Sequence, residues 1–144
     1  MNRVAISCFI LIFCWIGLCA QSDEIDSLLQ VIKLQEDNEE KVDNLVKIGY
    51  EYHRIDINLC SKYAEQALDI STNLSYKKGQ ASGLWLKALT GYYKGNYDSA
   101  LEYGNRSLEI AQSIDDPLTI LRTCLLYTSP SPRDATLSRM PSSA

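Results

Sequence analysis

Apolar residues recur at intervals of three and four along most of the chain, which is the spacing of one face of an α-helix. The pattern predicts a leading amphipathic helix over about 23–35, within residues 21–36. It then predicts four longer helices over about 38–53, 57–73, 78–94 and 97–113, and a fifth that begins at 117. We therefore expect an all-α fold of antiparallel helix pairs.

Polar residues and glycine mark the predicted helix ends. Asp37 with Glu40 gives a capping-box-like start to the helix at 38–53. In the turn KGNYD, Gly95 can take a positive φ and Asn96 is a good N-cap. Asp116 followed by Pro117 predicts a cap and a first helical residue.

The helices also repeat. Residues 45–70 align with residues 85–110 without a gap at an offset of 40. In this alignment large apolar residues correspond to large apolar residues at most positions, and small residues correspond to small ones at the rest. A repeated helix pair requires this pattern. We predict one unit at 37–76, a second at 77–116, and the start of a truncated third at 117–123.

The repeat resembles the tetratricopeptide repeat (TPR) family. The residues that carry the resemblance are Trp85, Tyr92, Ala100 and Ser107 in the second unit, and Gly49, Tyr52, Cys60 and Ala67 in the first. The period of 40 is longer than the usual 34, and the turn within each pair is one residue shorter than the common form. The resemblance implies a right-handed α-solenoid of about two and a half units. The spacing and the YKKG linker are similar to exported arrays of Bacteroidetes-type bacteria.

In this family the first helix of each pair lines a concave groove that holds a peptide or a partner segment. Carried over by position, the resemblance implies groove residues Asp43, Val46, Tyr50, His53, Arg54, Gly83, Leu86, Thr90, Tyr93 and Lys94. The six candidates for peptide contact are Tyr50, His53, Arg54, Thr90, Tyr93 and Lys94. Tyrosines beside cations suit an acidic or C-terminal peptide, although each residue alone is equally well explained as an ordinary solvated helix residue. Trp85 and Tyr92 are better explained as packing residues.

Residues 1–20 have the three-part pattern of a secretory signal peptide. Arg3 gives a positive start, residues 4–18 are almost wholly apolar, and Ala20 is a small final residue. An uncleaved anchor is the alternative, although the apolar run is short for a membrane span. We expect an exported protein that is periplasmic or membrane-associated, with its repeats outside the cytoplasm.

The segment 124–144 breaks the helical pattern and holds three of the chain's four prolines. Codons for Cys124–Asp134 and Ser138–Ala144 can be chosen to match a transposase adapter of short-read sequencing libraries. We therefore interpret 124–144 as translated adapter read-through, a non-native and disordered tail, with a natural Ser/Pro-rich tail as the alternative. On this interpretation the chain is a truncated piece of a longer protein, marginally stable and prone to associate.

Composition excludes several functions. Residues 21–123 hold 17 acidic and 11 basic side chains, which argues against nucleic-acid binding by this segment. The chain has a single histidine and only Cys60 between the two end segments, so we expect neither a metal site nor a disulfide framework. The acidic pairs at residues 39–40 and 115–116 suit helix starts rather than catalysis. We expect no cofactor and no enzymatic activity in this segment, and any enzymatic activity would have to lie in the missing C-terminal part.

Two functions remain open. The first is an exported TPR scaffold that binds a protein or peptide partner. The second is the periplasmic sensor segment of a membrane-bound signalling protein, a histidine kinase or a DNA-binding regulator, whose output domain is missing from the sequence.

Overall fold

The computed structural model describes residues 25–128, and in this range it contains helices and no strand. Helix α1 covers residues 25–34. It is followed by α2 (Glu39–Tyr52), α3 (Ile57–Asn73), α4 (Lys77–Tyr93), α5 (Tyr97–Ser113) and α6 (Pro117–Thr128). The prediction of an all-helical chain is confirmed for these residues. The predicted signal peptide and residues 129–144 of the predicted tail lie outside them.

Helix ends follow the predicted turn chemistry with one exception. The φ of Gly95 is 75° and the Asn96 side chain accepts the backbone N–H of Ser99, so the turn before α5 is as expected. At α2 the prediction is wrong, because the capping side chain belongs to Asn38 and accepts the N–H of Lys41. Asp37 instead pairs with the Lys41 ammonium group at 2.8 Å. Two good capping residues stand side by side here, and only the path of the chain selects between them.

The 40-residue period of the sequence is also a period of the backbone. Helices α3 and α5 both span 17 residues and begin 40 positions apart. Ser75 and Asp115, again 40 apart, have nearly equal positive φ values of 54° and 51°. The same backbone path therefore connects α3 to α4 and α5 to α6.

The helices lie in two layers. Each helix from α2 to α6 packs against its neighbour in sequence, and α2 also contacts α4, as α4 contacts α6. Among the residues described, no such contact joins α3 to α5. The first layer is thus α2, α4 and α6, which share one surface, and the second is α3 and α5. Helix α4 contacts four others, and most of its residues are buried.

The main core lies between α2, α3 and α4. Its buried residues are Val42, Leu45, Val46, Cys60, Ala64, Ala67, Trp85, Leu86 and Leu89. Small residues let the backbones come close, as at Gly79, where an added Cβ would lie 2.6 Å from Cγ1 of Val42. A side chain at this position would separate α4 from α2.

Helix α6 continues to Thr128, five residues into the segment predicted to be disordered. Leu126 packs against the main core, and the Tyr127 hydroxyl donates to Oδ1 of Asn105 at 3.0 Å. Forty residues earlier, Lys87 donates to Glu65 at 2.7 Å in the same register. The expectation of disorder is therefore wrong for Cys124–Thr128, because α5 offers these residues a surface to pack on. The adapter origin of the segment stays a prediction.

Candidate functional site

The first-layer surface carries two neighbouring pockets that share Tyr50 and Arg122. One has a volume of about 250 Å³, and we name it the cationic pocket. Its polar and aromatic lining consists of Tyr50, His53, Arg54, Trp85, Tyr92, Tyr93 and Arg122, and its apolar lining of Leu89, Leu125 and Leu126. The other has a volume of about 440 Å³, and we name it the mixed-charge pocket. Its charged lining consists of Asp43, Lys47, Glu51, Lys78, Asp116 and Arg122.

Aromatic rings form the walls of the cationic pocket. The rings of Tyr50 and His53, one helical turn apart, stack with centroids 4.7 Å apart. The ring centroid of Tyr50 lies 5.5 Å from that of Trp85, and the ring centroid of His53 lies 5.6 Å from that of Tyr93. Tyr50 and Tyr93 keep 41% and 50% of their surface exposed, whereas Trp85 keeps 4%. The wall therefore combines one buried ring with two rings that a ligand can reach.

Arg122 completes the pocket from α6, and the sequence analysis missed it. Its guanidinium carbon lies 5.1 Å from the ring centroid of Trp85 and 5.9 Å from that of Tyr50. Stacking on two rings restricts a long side chain that would otherwise be mobile. The 40-residue offset relates Arg122 to Ser82, which is not among the predicted groove positions, so extending those positions into the third unit does not reach Arg122.

The charges of the cationic pocket all have one sign. Arg54 and Arg122 line it, and no carboxylate does. Within residues 25–128 neither guanidinium forms an ion pair with an acidic side chain. This is unusual in a chain whose formal net charge is −4. An anion that enters the pocket therefore meets no repulsion from its lining.

The mixed-charge pocket is balanced, with three acidic and three basic side chains. At its edge the Tyr76 hydroxyl donates to Oδ1 of Asp43 at 3.1 Å. Burial, followed by the charge of Asp43, raises the pKa of Tyr76 from 10.0 to about 12. This hydroxyl stays a donor at all ordinary pH values and links α4 to α2.

Four of the six predicted contact residues meet at the cationic pocket, namely Tyr50, His53, Arg54 and Tyr93. Thr90 does not, and this expectation is corrected: it is 5% exposed, donates to the carbonyl of Leu86 at 2.8 Å, and touches Sγ of Cys60. Burial raises the pKa of that Cys60 thiol.

Lys94 is also outside both pockets. It is exposed at the C-cap of α4. Of the remaining positions carried over from the family, Asp43 and Val46 line the mixed-charge pocket, whereas Gly83 and Leu86 are buried in the helix packing. Of the predicted groove positions, the first unit therefore supplies five to the two pockets and the second supplies only Tyr93.

Trp85 packs in the core, as expected, and also lines the pocket. Its indole nitrogen is buried and has no hydrogen-bond partner among the residues described. A buried donor without an acceptor costs about 1–3 kcal/mol. The core therefore contains an unsatisfied hydrogen-bond donor next to the pocket.

The described residues hold no cluster of three or more histidine, cysteine or acidic side chains suited to a metal ion. Residues 25–128 also contain no helix with the length and apolar character of a membrane span. Comparison of the chain with protein-family models, with curated proteins and with solved structures finds no match. Fold and site define an all-helical protein with two adjoining pockets on one helix layer.

Proposed function

We propose that residues 37–128 form a TPR-like helical-repeat module that binds an extended segment of another protein. Two features support the repeat assignment. Helix bounds and the positive φ values recur at 40 residues, and the first helices of successive pairs contact one another. Such stacking gives repeat proteins a continuous surface for an elongated ligand.

The observation that carries the binding proposal is the exposure of two tyrosines beside unpaired arginines. Tyr50 and Tyr93 present their rings on the first layer, and Arg54 and Arg122 lie in the same pocket. Aromatic rings and arginine are the side chains that contribute most to protein interfaces. Because the adjoining charges are positive, the partner segment is acidic or presents its C-terminus there.

The test uses the 144-residue chain and two pools of acetylated, amidated dodecapeptides. One pool alternates acidic and apolar residues, and the other replaces each acid with lysine. We expect binding of the acidic pool only, and about tenfold weaker binding after Tyr50→Ala or Tyr93→Ala. Tyr103→Ala on α5 is the matched control, because Tyr103 lines neither pocket. Equal binding of both pools, or an equal loss in the control, contradicts the proposal.

We further propose that the module acts outside the cytoplasm, because residues 1–20 have the pattern of a signal peptide. Alkaline phosphatase fused after residue 128 would be active in the bacterial periplasm if this is right. Loss of activity after deletion of residues 1–20 is the expected control. Full activity of the deleted fusion would contradict export by this segment.

A further inference from the structure

We infer that the cationic pocket is a binding site for one aromatic ring that carries a carboxylate. The ligand is either a free aromatic acid or the last residue of a peptide with a free C-terminus. The second source rests on the proposed function, and the first does not.

The size of the pocket restricts the ligand. Its volume is about 250 Å³, whereas pockets for drug-sized ligands span about 300–1,000 Å³. It therefore admits one ring with a short substituent and excludes a folded peptide. The adjoining mixed-charge pocket shares Tyr50 and Arg122 with it, so the preceding residues of an extended peptide can lie there while the terminal residue enters the cationic pocket.

The charge of the pocket selects a carboxylate. Arg54 reaches it from the turn after α2 and Arg122 from α6, and neither has an acidic partner within residues 25–128. A guanidinium binds a carboxylate with two parallel hydrogen bonds. Arg122 is already held over Trp85 and Tyr50, so little side-chain entropy remains to be lost when the ligand binds.

The rings of the pocket select an aromatic group. Tyr50 and Tyr93 are half-exposed and each lies against His53, and aromatic pairs prefer offset or edge-to-face packing. All these groups, with both arginines, belong to residues 50–122. Leu125 and Leu126, which lie in the segment of predicted adapter origin, add apolar lining to the pocket.

The experiment is isothermal titration calorimetry on the 144-residue chain with four probes. They are 3-phenylpropionate, its amide, an acetylated peptide Gly-Ser-Gly-Ser-Phe with a free C-terminus, and the same peptide amidated. We expect the acid of at least one pair to bind about tenfold more tightly than its amide, since one charge-assisted bond contributes about 1.5–3 kcal/mol. Binding of the free acid assigns a small-molecule source, and binding of the peptide acid alone assigns a peptide terminus.

Four variants test the residues. Arg122→Gln and Arg54→Gln should each weaken binding of the acid about tenfold and leave binding of the amide unchanged. Arg106→Gln is the charge-matched control, because Arg106 is exposed on α5 and lines neither pocket. Far-UV circular dichroism confirms that each variant is folded, and Arg122→Lys, which keeps the charge but not the planar fork, should bind with intermediate affinity.

Equal binding of acid and amide, equal losses in Arg106→Gln and Arg122→Gln, or no heat with any probe at millimolar concentration would overturn the inference. Any of these results leaves the amidated dodecapeptides of the proposed function free to bind. Failure of the cationic pocket to bind a carboxylate is thus distinguishable from failure of the proposed peptide binding.

Discussion

The two helix interfaces made by α4 lie at matched positions of the 40-residue repeat and differ in side-chain chemistry. Towards α2 and α3, α4 packs against large apolar residues, of which Val42, Leu45 and Cys60 are fully buried. Towards α5 and α6 the buried residues include hydroxyls, namely Ser82, Ser107, Thr119 and Thr123. The same 40-residue repeat therefore forms an apolar interface on one side of α4 and a hydroxyl-containing interface on the other.

The hydroxyls of the second interface satisfy one another and nearby carbonyls. Ser107 Oγ donates to the carbonyl of Ala81 at 2.7 Å and lies 3.5 Å from the Thr123 hydroxyl. Thr123 in turn donates to the carbonyl of Thr119 at 2.8 Å. A satisfied hydrogen bond contributes about 0.5–1.5 kcal/mol, less than the roughly 1.5–3 kcal/mol from burying a large apolar side chain. The first interface should therefore hold the array together, and the second should open first.

Leu45→Ala should have the largest effect. Leu45 is 1% exposed at the centre of the first interface, and removing such a side chain typically costs about 2–5 kcal/mol. Urea unfolding of the 144-residue chain measures the loss. Leu101→Ala, at a half-exposed position on α5, is the control and should cost well under half as much. Equal losses would show that the apolar interface is not dominant.

Gly79→Ala should follow. The new Cβ would lie 2.6 Å from Cγ1 of Val42 and 2.9 Å from Cβ of Ser71. Forcing α4 away from these neighbours should cost about 1–3 kcal/mol in the same urea experiment.

Gly104→Ala is the matched change in the second interface. Its closest contact is the Tyr127 hydroxyl, the end of an exposed side chain that can move. The gain in helix propensity of about 1 kcal/mol should cancel or exceed the cost. A larger loss at Gly104 than at Gly79 would reverse the comparison.

Ser107→Ala should cost about 0.5–1.5 kcal/mol, because it removes the bond to the carbonyl of Ala81 and the contact with Thr123. Ser113→Ala is the control, since Ser113 donates from an exposed position at the end of α5. Hydrogen exchange should show faster opening of α6 in Ser107→Ala and unchanged exchange in α2. Faster exchange throughout the chain would mean that the two interfaces open together.

Tyr76→Phe should have the smallest effect, visible as a pH dependence. The pKa of Tyr76 is raised from 10.0 to about 12 in the folded chain, first by burial and then by Asp43. Because the folded pKa is the higher one, the stabilisation is complete below pH 10 and is lost as pH rises towards 12. Thermal melts at stepped pH should show wild type losing stability faster than Tyr76→Phe in this window. Parallel curves would contradict the assignment.

Sequence periodicity predicted the helices well because their apolar faces and turn residues are local features. The bounds of α3 and α5 agree with the predicted 57–73 and 97–113. The site was predicted less well. Thr90 stands 40 positions after Tyr50, yet Tyr50 is half-exposed and Thr90 is buried. An offset in sequence matches backbone positions, but among helices α2 to α6, α4 contacts four others whereas α2 contacts only α3 and α4.

Arg122 shows the second limit of sequence reasoning. Its role depends on two rings from two other helices, Tyr50 on α2 and Trp85 on α4. No spacing along the chain encodes that three-way meeting, because it is set by how the helices pack. Local sequence patterns therefore identified Tyr50, Tyr93 and Arg54, whereas only the packing of the helices identified Arg122.

The extension of α6 through Cys124–Thr128 has a consequence for how such arrays grow. Starting a helix is costly because several dihedral angles are fixed for the first bond, whereas each added residue brings its own bond. Once α5 is in place and α6 has begun, the following residues need only a moderate propensity and a side chain that reaches Asn105, as Tyr127 does. The packed surface of α5 thus lowers the cost of each residue added to the end of α6.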